Sequence, residues 1–394
     1  MSKTLLVLAA SAYQIATIET AKHLGYRVVT TDNVATNPGH ALADKSYGID
    51  TTDVDAVLDL AVREGISGVI APCTDVAVMT AARVAERLRL PGPSPEAARI
   101  LTDKLAFRQF LARSGLPCPR IHPIDAAASL TDTFDGRAWL VKPCRSSGSK
   151  GIFIVRDEQT FRERVAESQS FSVDGTALLE EFIDGSQHTC EGLIEDGKTV
   201  LAMVTDRDTT LPPHTATTGH RVPSALSQSM QSKVLAVIEE VFGRLGVRSG
   251  PFDCDFVASG DRIVLIEMTP RLGGNSLSRL FRAALDFDLV AYAVAHACGD
   301  PRPLPAQHRP RPSAIVILGV AQAGRLAWNQ DEAEALRQES WVETLIMDHP
   351  PGTRVQPLIN GRHRVGEALI HGADRAEIDA RLIELKRRLA LTAA

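Results

Sequence analysis

The chain has 394 residues, 44% hydrophobic and 23% charged, which is too long for one simple core and leads us to expect two to three domains. A net charge of -5, with no basic run interleaved with aromatic residues, argues against nucleic acid as a partner. Apolar runs stay below the roughly 18 residues of a membrane-spanning helix. The cysteines Cys73, Cys118, Cys144, Cys190, Cys254 and Cys298 form no Cys-x-x-Cys pair, which fits a soluble protein of the reducing cytoplasm.

Residues 1–91 alternate strand and helix patterns. Thr4 to Ala9 is a continuous apolar run suited to a strand buried on both faces; Ile15 to Leu24 has helical spacing and Arg27 to Thr31 is β-branched again. Asp55 to Glu64 reads as helix, Gly68 to Ala71 as strand and Val76 to Leu88 as helix, which predicts a doubly wound parallel sheet. A dinucleotide would require Gly-x-Gly-x-x-Gly after the first strand, and the sequence there is Ala9-Ala10-Ser11-Ala12-Tyr13, so that reading is rejected. Asp32 ends the second strand as a cap, with a substrate contact left open.

Pro91-Gly-Pro-Ser-Pro95 turns the chain and marks a boundary. Pro95 to Ser114 is predicted as a helix containing Asp103-Lys104 and stopped by Gly115 and Pro117. Trp139-Leu-Val-Lys142-Pro143 sets a lysine at a strand end. The Ser146 to Gly151 loop that follows is rich in Ser and Gly, can expose backbone N-H groups to anionic oxygens, and leads into a strand, Ile152 to Val155, where a P-loop would lead into a helix. Ala177 to Glu181 is a strand ending in two glutamates. Glu191 lies on the next strand, either facing the cleft or exposed. Thr205 to Ser224 is polar, carries Pro212, Pro213, Gly219 and Pro223, and is expected to be a loop or flap.

Phe252 to Ala258 and Arg262 to Glu267 form a hairpin through Ser259-Gly260-Asp261, which brings Asp255 and Glu267 to one cleft. Asp253 shares the face of Asp255 as an alternative ligand. The planar fork of Arg271 suits a carboxylate, and Gly273-Gly274-Asn275-Ser276 leads into a helix, Leu277 to Leu285, with Arg279 and Arg282 near its start. Pro301 to Pro312 reads as a stiff connector. Strands and turns follow from Ser313, and a charged helix is expected near Arg375 to Leu389.

The order and spacing of Leu140 to Ile152, Leu178 to Gly185, Phe252 to Val257 and Ile266 to Asn275 resemble an ATP-grasp enzyme of the carboxylate-amine ligase type. The resemblance implies an α/β fold with a doubly wound N-terminal domain (1–91), a helical segment leading into the core (92–116), a lid (117–181), an α+β nucleotide- and metal-binding core (182–310) and a β-rich C-terminal module (311–394). It implies that Lys104, Lys142, Ser146, Ser147, Gly148, Ser149 and Gly151 meet ATP phosphates. Glu180 or Glu181 would take the adenine amine beside the main chain of Phe182 and Ile183, and Gln187 stands where a ribose-binding glutamate is common. Asp255 and Glu267 would hold Mg2+ (or Mn2+), with Thr269 where an asparagine is common and Asn275 as its substitute. Lys142, Arg271 and His220 take the catalytic roles, although Thr217 and Thr218 stand where a glutamate often precedes the Gly219-His220 pair.

The implied chemistry is ATP-dependent activation of an amino acid or small acid to an acyl phosphate that an amine captures to form an amide. A purine-precursor carboxylase or formyltransferase shares every motif, and a nucleotide-binding protein without catalysis is the third reading. Small-molecule carboxylates and amines are the implied partners, without nucleic acid or membrane, and a homodimer is left open.

Overall fold

A computed structural model of the chain describes residues 2–124, 134, 136–146, 150–211, 214–300, 302–304 and 309–394. In chain order the elements are β1 (Thr4–Leu8), α1 (Ile15–His23), β2 (Arg27–Thr31), β3 (Lys45–Tyr47), α2 (Val54–Glu64), β4 (Gly68–Ile70), α3 (Val78–Leu88), α4 (Pro95–Thr102), α5 (Lys104–Arg113), β5 (Ile121–Pro123), β6 (Trp139–Pro143), β7 (Phe153–Val155), α6 (Glu158–Ser170), β8 (Ala177–Glu181), β9 (Ser186–Glu195) and β10 (Lys198–Thr209). They continue with β11 (Thr217–Val222), α7 (Gln228–Leu245), β12 (Gly250–Ser259), β13 (Arg262–Thr269), α8 (Leu277–Leu285), α9 (Leu289–Ala297), β14 (Ser313–Leu318), β15 (Gly324–Ala327), α10 (Gln330–Arg337), β16 (Val342–Met347), β17 (Arg354–Val355), β18 (Gly366–His371), α11 (Arg375–Leu389) and β19 (Thr392–Ala393). Among the described residues no helix is long and apolar enough to cross a membrane.

The N-terminal sheet runs β3-β2-β1-β4 and is parallel throughout, with Leu5 opposite both Val28 and Gly68. Every residue of β1 is buried, as its unbroken apolar run predicts. A Cβ on Gly68 would lie 2.6 Å from the carbonyl oxygen of Ala297, so β4 packs directly against the end of α9. Leu5, Val7 and Ile18 therefore share one core with Leu280, Phe281 and Val294, which fixes the strand ends of this sheet over the central domain.

The lid is an antiparallel sheet, β5-β8-β6-β7, backed by Phe161 of α6. The central sheet runs β13-β12-β9-β10-β11-β14-β18-β16, so strands on both sides of the 302–312 segment belong to it.

Two expectations need correction. The helix predicted over Pro95 to Ser114 is two helices, because Asp103 is extended (φ -111°, ψ 114°) and its carboxylate caps α5 by accepting from Ala106 N at 2.9 Å. That break makes Lys104 the first residue of α5 and ties its N-H to the Cys144 carbonyl at 3.0 Å. The loop expected over Thr205 to Ser224 is largely the end of β10 and all of β11. Its polar side chains misled because they line a chamber in the middle of a sheet. A Cβ on Gly219 would lie 2.6 Å from the Ile315 carbonyl, so that glycine permits the close approach of β14 and does not mark a turn.

Candidate active site

Lys142 sits two residues beyond the cross-strand pair Leu140-Glu180, where β6 meets β8. Its ammonium is ion-paired to Glu180, whose other oxygen accepts from Arg108 Nε at 2.8 Å, and Arg108 reaches on to the Ile266 carbonyl at 2.5 Å. Arg108 and Glu180 are both completely buried. Burial lowers the Lys142 ammonium to about 8, against the pull of Glu180. Burial acts to raise Glu180, but the charges of Arg108 and Lys142 outweigh it and hold the carboxylate below its usual range. Lys104 Nζ bonds the Ser146 carbonyl at 2.7 Å and Glu267 at 3.1 Å.

Lys104, Lys142, Ser146, Glu180 and Glu267, but not Arg108, line a solvent-open cleft of about 860 Å³ between lid and central sheet. Of the nucleotide residues expected from sequence, Lys104, Lys142, Ser146, Glu180, Glu181, Phe182, Ile183 and Gln187 all face it. Ser147, Gly148 and Ser149 lie outside the described residues. Gly151 does not line the cavity; it holds φ at 70°, with the Phe171 ring 2.7 Å from where a Cβ would stand, so its role is in the lid turn. Both oxygens of Glu180 are engaged by cations, which makes it the counter-ion of Lys142. Glu181, 27% exposed in its side chain and bonded among the described residues only to Arg120, is the freer carboxylate of the two.

Asp255 and Glu267 are direct cross-strand partners on β12 and β13, with a bulge immediately after Asp255. Asp255 accepts from Thr189 Oγ1 at 2.5 Å and pairs with Arg207 at 3.0 Å. For Glu267, burial works to raise the carboxyl, but Lys104 and Arg271 lower it further, so it stays ionised. Two hard oxygen donors facing a cleft bordered by Lys104 and Lys142 fit magnesium, which commonly takes one or two carboxylates and completes its shell with phosphates and water. Among the described residues there is no cluster of three His, Cys, Asp or Glu side chains arranged for a metal. Thr269 lies opposite Asp253, two residues along the strands from this pair, with Oγ1 buried and without a hydrogen-bond partner among the described residues; it lines neither chamber.

A second cavity of 1640 Å³ opens on the other side of Asp255 and Glu267, and Lys150 and Arg207 also border both. Its walls come from the loops after β1 and β4, from β11, β12 and the 271–277 segment, and from Gly361 and Arg362. Arg271 is nearly buried here: Nε donates to Asp75 Oδ1 at 2.9 Å, Nη2 donates to the same oxygen, and Nη1 donates to Asp253 Oδ2 at 2.9 Å and the Leu272 carbonyl at 3.0 Å. The fork thus holds two protein carboxylates.

Asp253 lies opposite Glu191 on β9, which is fully buried and accepts from Gly273 N at 2.7 Å. Burial and mutual repulsion push Glu191 up to about 8, and burial pushes Asp253 up to about 7 against the pull of Arg271.

His220 also borders this chamber, with Nδ1 3.1 Å from Thr205 Oγ1. Burial drives its pKa down to about 3, so it is a neutral imidazole there. Asn275 lines the chamber in the left-handed conformation (φ 51°). Asp32 is structural: it accepts from Ala10 N, Val34 N and Asn37 Nδ2 at 2.8 to 2.9 Å, closing the loop after β1. Arg279 is spent on Glu367 at 2.8 Å, and Arg282 stays at the surface, 3.7 Å from Asp288.

Sequence reasoning missed Arg108, Arg207 and Asp75. Arg108 had a signal, since it stands four residues after Lys104 on the same helical face. Arg207 was hidden by the loop assignment.

Residues 137–279 match the family described as the ATP-grasp domain. The chain is 27% identical over 393 residues to formate-dependent phosphoribosylglycinamide formyltransferase of Thioalkalivibrio sulfidiphilus, covering 93% of this chain and 91% of that protein. It is 29% identical over 262 residues to the uncharacterized protein y4rH of Sinorhizobium fredii, covering 64% of this chain; the alignment spans only 54% of that relative. Among solved structures, the L-amino acid ligase from Bacillus licheniformis superposes with a TM-score of 0.83 at 19% identity, covering 100% of this chain and 98% of that one, which is a likeness of fold.

Proposed function

We propose that this chain, which carries an ATP-grasp domain and has the ATP-grasp fold, is an ADP-forming ligase that activates a carboxylate and joins it to an amine. The observation that carries the reading is the meeting of two chambers at Asp255 and Glu267: one is lined by Lys104 and Lys142 and suits a nucleotide, the other is bordered by Lys150, Arg207 and Arg362 and suits an acid. A carboxylate oxygen of the substrate attacks the γ-phosphorus, the bond to the β-γ bridging oxygen breaks, and ADP leaves. The amine nitrogen then attacks the acyl carbon, phosphate departs with the C-O bond pair, and the nitrogen loses a proton to solvent. Lys142 and Lys104 stabilise charge on the transferring group, and the lid keeps water from the acyl phosphate. ATP-grasp enzymes use ATP with Mg2+. Asp255 and Glu267 would hold the metal, which when bound screens the phosphate oxygens during transfer.

A second reading, transfer onto a phosphorylated purine precursor, is favoured by the full-length alignment with the formyltransferase and by Lys150 and Arg362, which form no close ion pair among the described residues and border the acceptor chamber. One screen separates the two: ADP and phosphate release with ATP and Mg2+, supplied either with paired amino acids and small acids or with formate and phosphoribosylglycinamide. Release with the first set supports the ligase and release with the second supports the transferase. ATP binding without release in either would leave a nucleotide-binding protein.

A further inference from the structure

Each carboxylate of the Asp255-Glu267 pair faces a cation of the protein. Lys104 Nζ stands 3.1 Å from Glu267, and Arg207 Nη1 stands 3.0 Å from Asp255 Oδ2. The two cations differ in reach. Lys104 lines the nucleotide cleft but not the acceptor chamber, whereas Arg207 borders both, at the seam where Asp255 and Glu267 divide them.

Arg207 has its face of β10 to itself, because the neighbouring Asp206 and Asp208 point to the opposite face and are engaged there by Arg375 and Arg221. Among the described residues Asp255 is its only carboxylate partner; Gln187, 3.4 Å away, offers an amide oxygen and no charge. His220, directly opposite on β11, is held neutral by burial and further by the charge of Arg207, so it does not repel the guanidinium. Nε donates to Thr217 Oγ1 at 3.0 Å, an anchor on the acceptor side about which the tip can turn. The Arg207 and Asp255 side chains are 14% and 22% exposed, against none for Arg108 and Glu180, so this pair separates at a lower desolvation cost.

We propose that Arg207 is an exchangeable counter-ion, which yields Asp255 to the metal and turns its freed guanidinium to the phosphoryl group that passes to the acid. This rests on the ligase reading and adds a catalytic residue to Lys104 and Lys142. The charges stay matched throughout: two carboxylates answer two protein cations, and once a divalent ion answers the carboxylates the released cations face phosphate oxygens. The planar fork of Arg207 engages two such oxygens at once. Metal and phosphate binding are then coupled through this side chain.

The test has two arms, both on the full chain. In the first, without nucleotide, Mn2+ binding is followed by the electron paramagnetic resonance of the free ion. Arg207→Gln removes the competing charge at Asp255 and should bind Mn2+ about tenfold more tightly than the native chain, while Arg207→Lys should stay within about threefold of native. In the second arm, inorganic phosphate is titrated calorimetrically into the ADP-bound chain, with Mg2+ or with a chelator. With Mg2+, Arg207→Gln should bind phosphate about tenfold more weakly than native; with the chelator, where the native guanidinium stays on Asp255, the two should agree within about threefold. Unchanged affinity for ADP under chelator shows that each variant is folded.

Mn2+ affinity that is unchanged or lowered in Arg207→Gln would overturn the exchange, and so would a native chain that binds no Mn2+. Equal loss of phosphate affinity with and without Mg2+ would make Arg207 a fixed anion site, and no loss in either would leave it a structural residue; both results overturn the proposal. Failure of ADP to bind faults the ligase reading, while the Mn2+ arm still decides whether Arg207 gives up Asp255.

Discussion

Two buried ion nests flank the Asp255-Glu267 pair, and they handle buried charge differently. On the lid side Arg108 and Lys142 share the single carboxylate of Glu180; on the acceptor side Asp75 and Asp253 share the single guanidinium of Arg271, with Glu191 beneath. Desolvating an unmatched charge is expensive, so a fold that keeps a surplus at a cavity wall has left a place for a ligand of the other sign. The lid nest is short of negative charge, as a nucleotide site should be. The acceptor nest lowers its own negative charge instead: burial pushes Glu191 up to about 8 and Asp253 up to about 7, so fewer carboxylates are left for Arg271 to balance.

The sharpest way to break this comparison is to remove the surplus cation. Lys142→Met should reduce ATP-dependent turnover on the order of 10³-fold, because a fixed charge aimed at the transferring phosphoryl group is lost. The fold should survive, since Glu180 keeps Arg108 as a partner. Steady-state ADP release, with circular dichroism as the control for folding, decides it; near-normal turnover would remove Lys142 from the mechanism.

Stability should show the same asymmetry. Arg108→Met takes away a fully buried partner of Glu180 and should cost about 3 to 5 kcal/mol in urea unfolding. Glu191→Gln relieves a repulsion and keeps an acceptor for Gly273 N, so its cost should stay within about 1 kcal/mol. Similar losses in both variants would mean that the nests are equivalent after all.

At Arg271 the expected effect is smaller and falls on one substrate. Arg271→Lys keeps the charge and loses the fork, so one of Asp75 and Asp253 is released. KM for the acid should rise about tenfold to a hundredfold while KM for ATP changes less than about threefold. Equal damage to both would assign Arg271 to the nucleotide.

How much of this was legible in the sequence follows from how local each feature is. The parallel N-terminal sheet was readable because strands buried on both faces leave unbroken apolar runs such as that of β1. The Asp255-Glu267 pair was readable because a tight hairpin converts sequence spacing into cross-strand contact. The nests were not. Asp75 and Arg271 are 196 residues apart and meet only because β4 packs on α9. The competition for Glu180 between adenine and two cations is likewise settled by which side chains the lid and α5 bring together. Arg207 was lost with the β10-β11 pairing, whose polar faces read as loop.

The lid nest also predicts opposite pH trends for affinity and stability. Lys142 is held near 8, below its ordinary 10.5, by burial. Its charge is half lost at pH 8 and nearly gone at pH 9, so kcat/KM for ATP should fall about fivefold between pH 8 and 9, and Lys142→Met should flatten that limb. Stability should move the other way. From pH 8 to 10.5 the unfolded chain keeps the lysine proton that the folded protein has released, so this group makes the fold more stable as pH rises. A parallel decline of affinity and stability would show global unfolding and not the titration of Lys142.

The smallest effect tests the segment that joins the two sides. Asn275 and Ser276 are consecutive left-handed residues (φ 51° and 57°), and Ser276 is anchored through its hydroxyl to Glu367 at 2.6 Å. Asparagine tolerates this conformation better than alanine does, so Asn275→Ala should lose about 1 kcal/mol of stability and Asn275→Gly should lose less. If Asn275 serves only to shape the chamber wall, neither variant should change the magnesium concentration needed for half-maximal ADP release. Thr269→Asn should lower that concentration, because an amide oxygen replaces a buried hydroxyl that has no hydrogen-bond partner among the described residues on the strand that carries Glu267. A raised magnesium requirement in Asn275→Ala alone, with Thr269→Asn silent, would move the third ligand to the acceptor side and make the 273–276 segment part of the metal site.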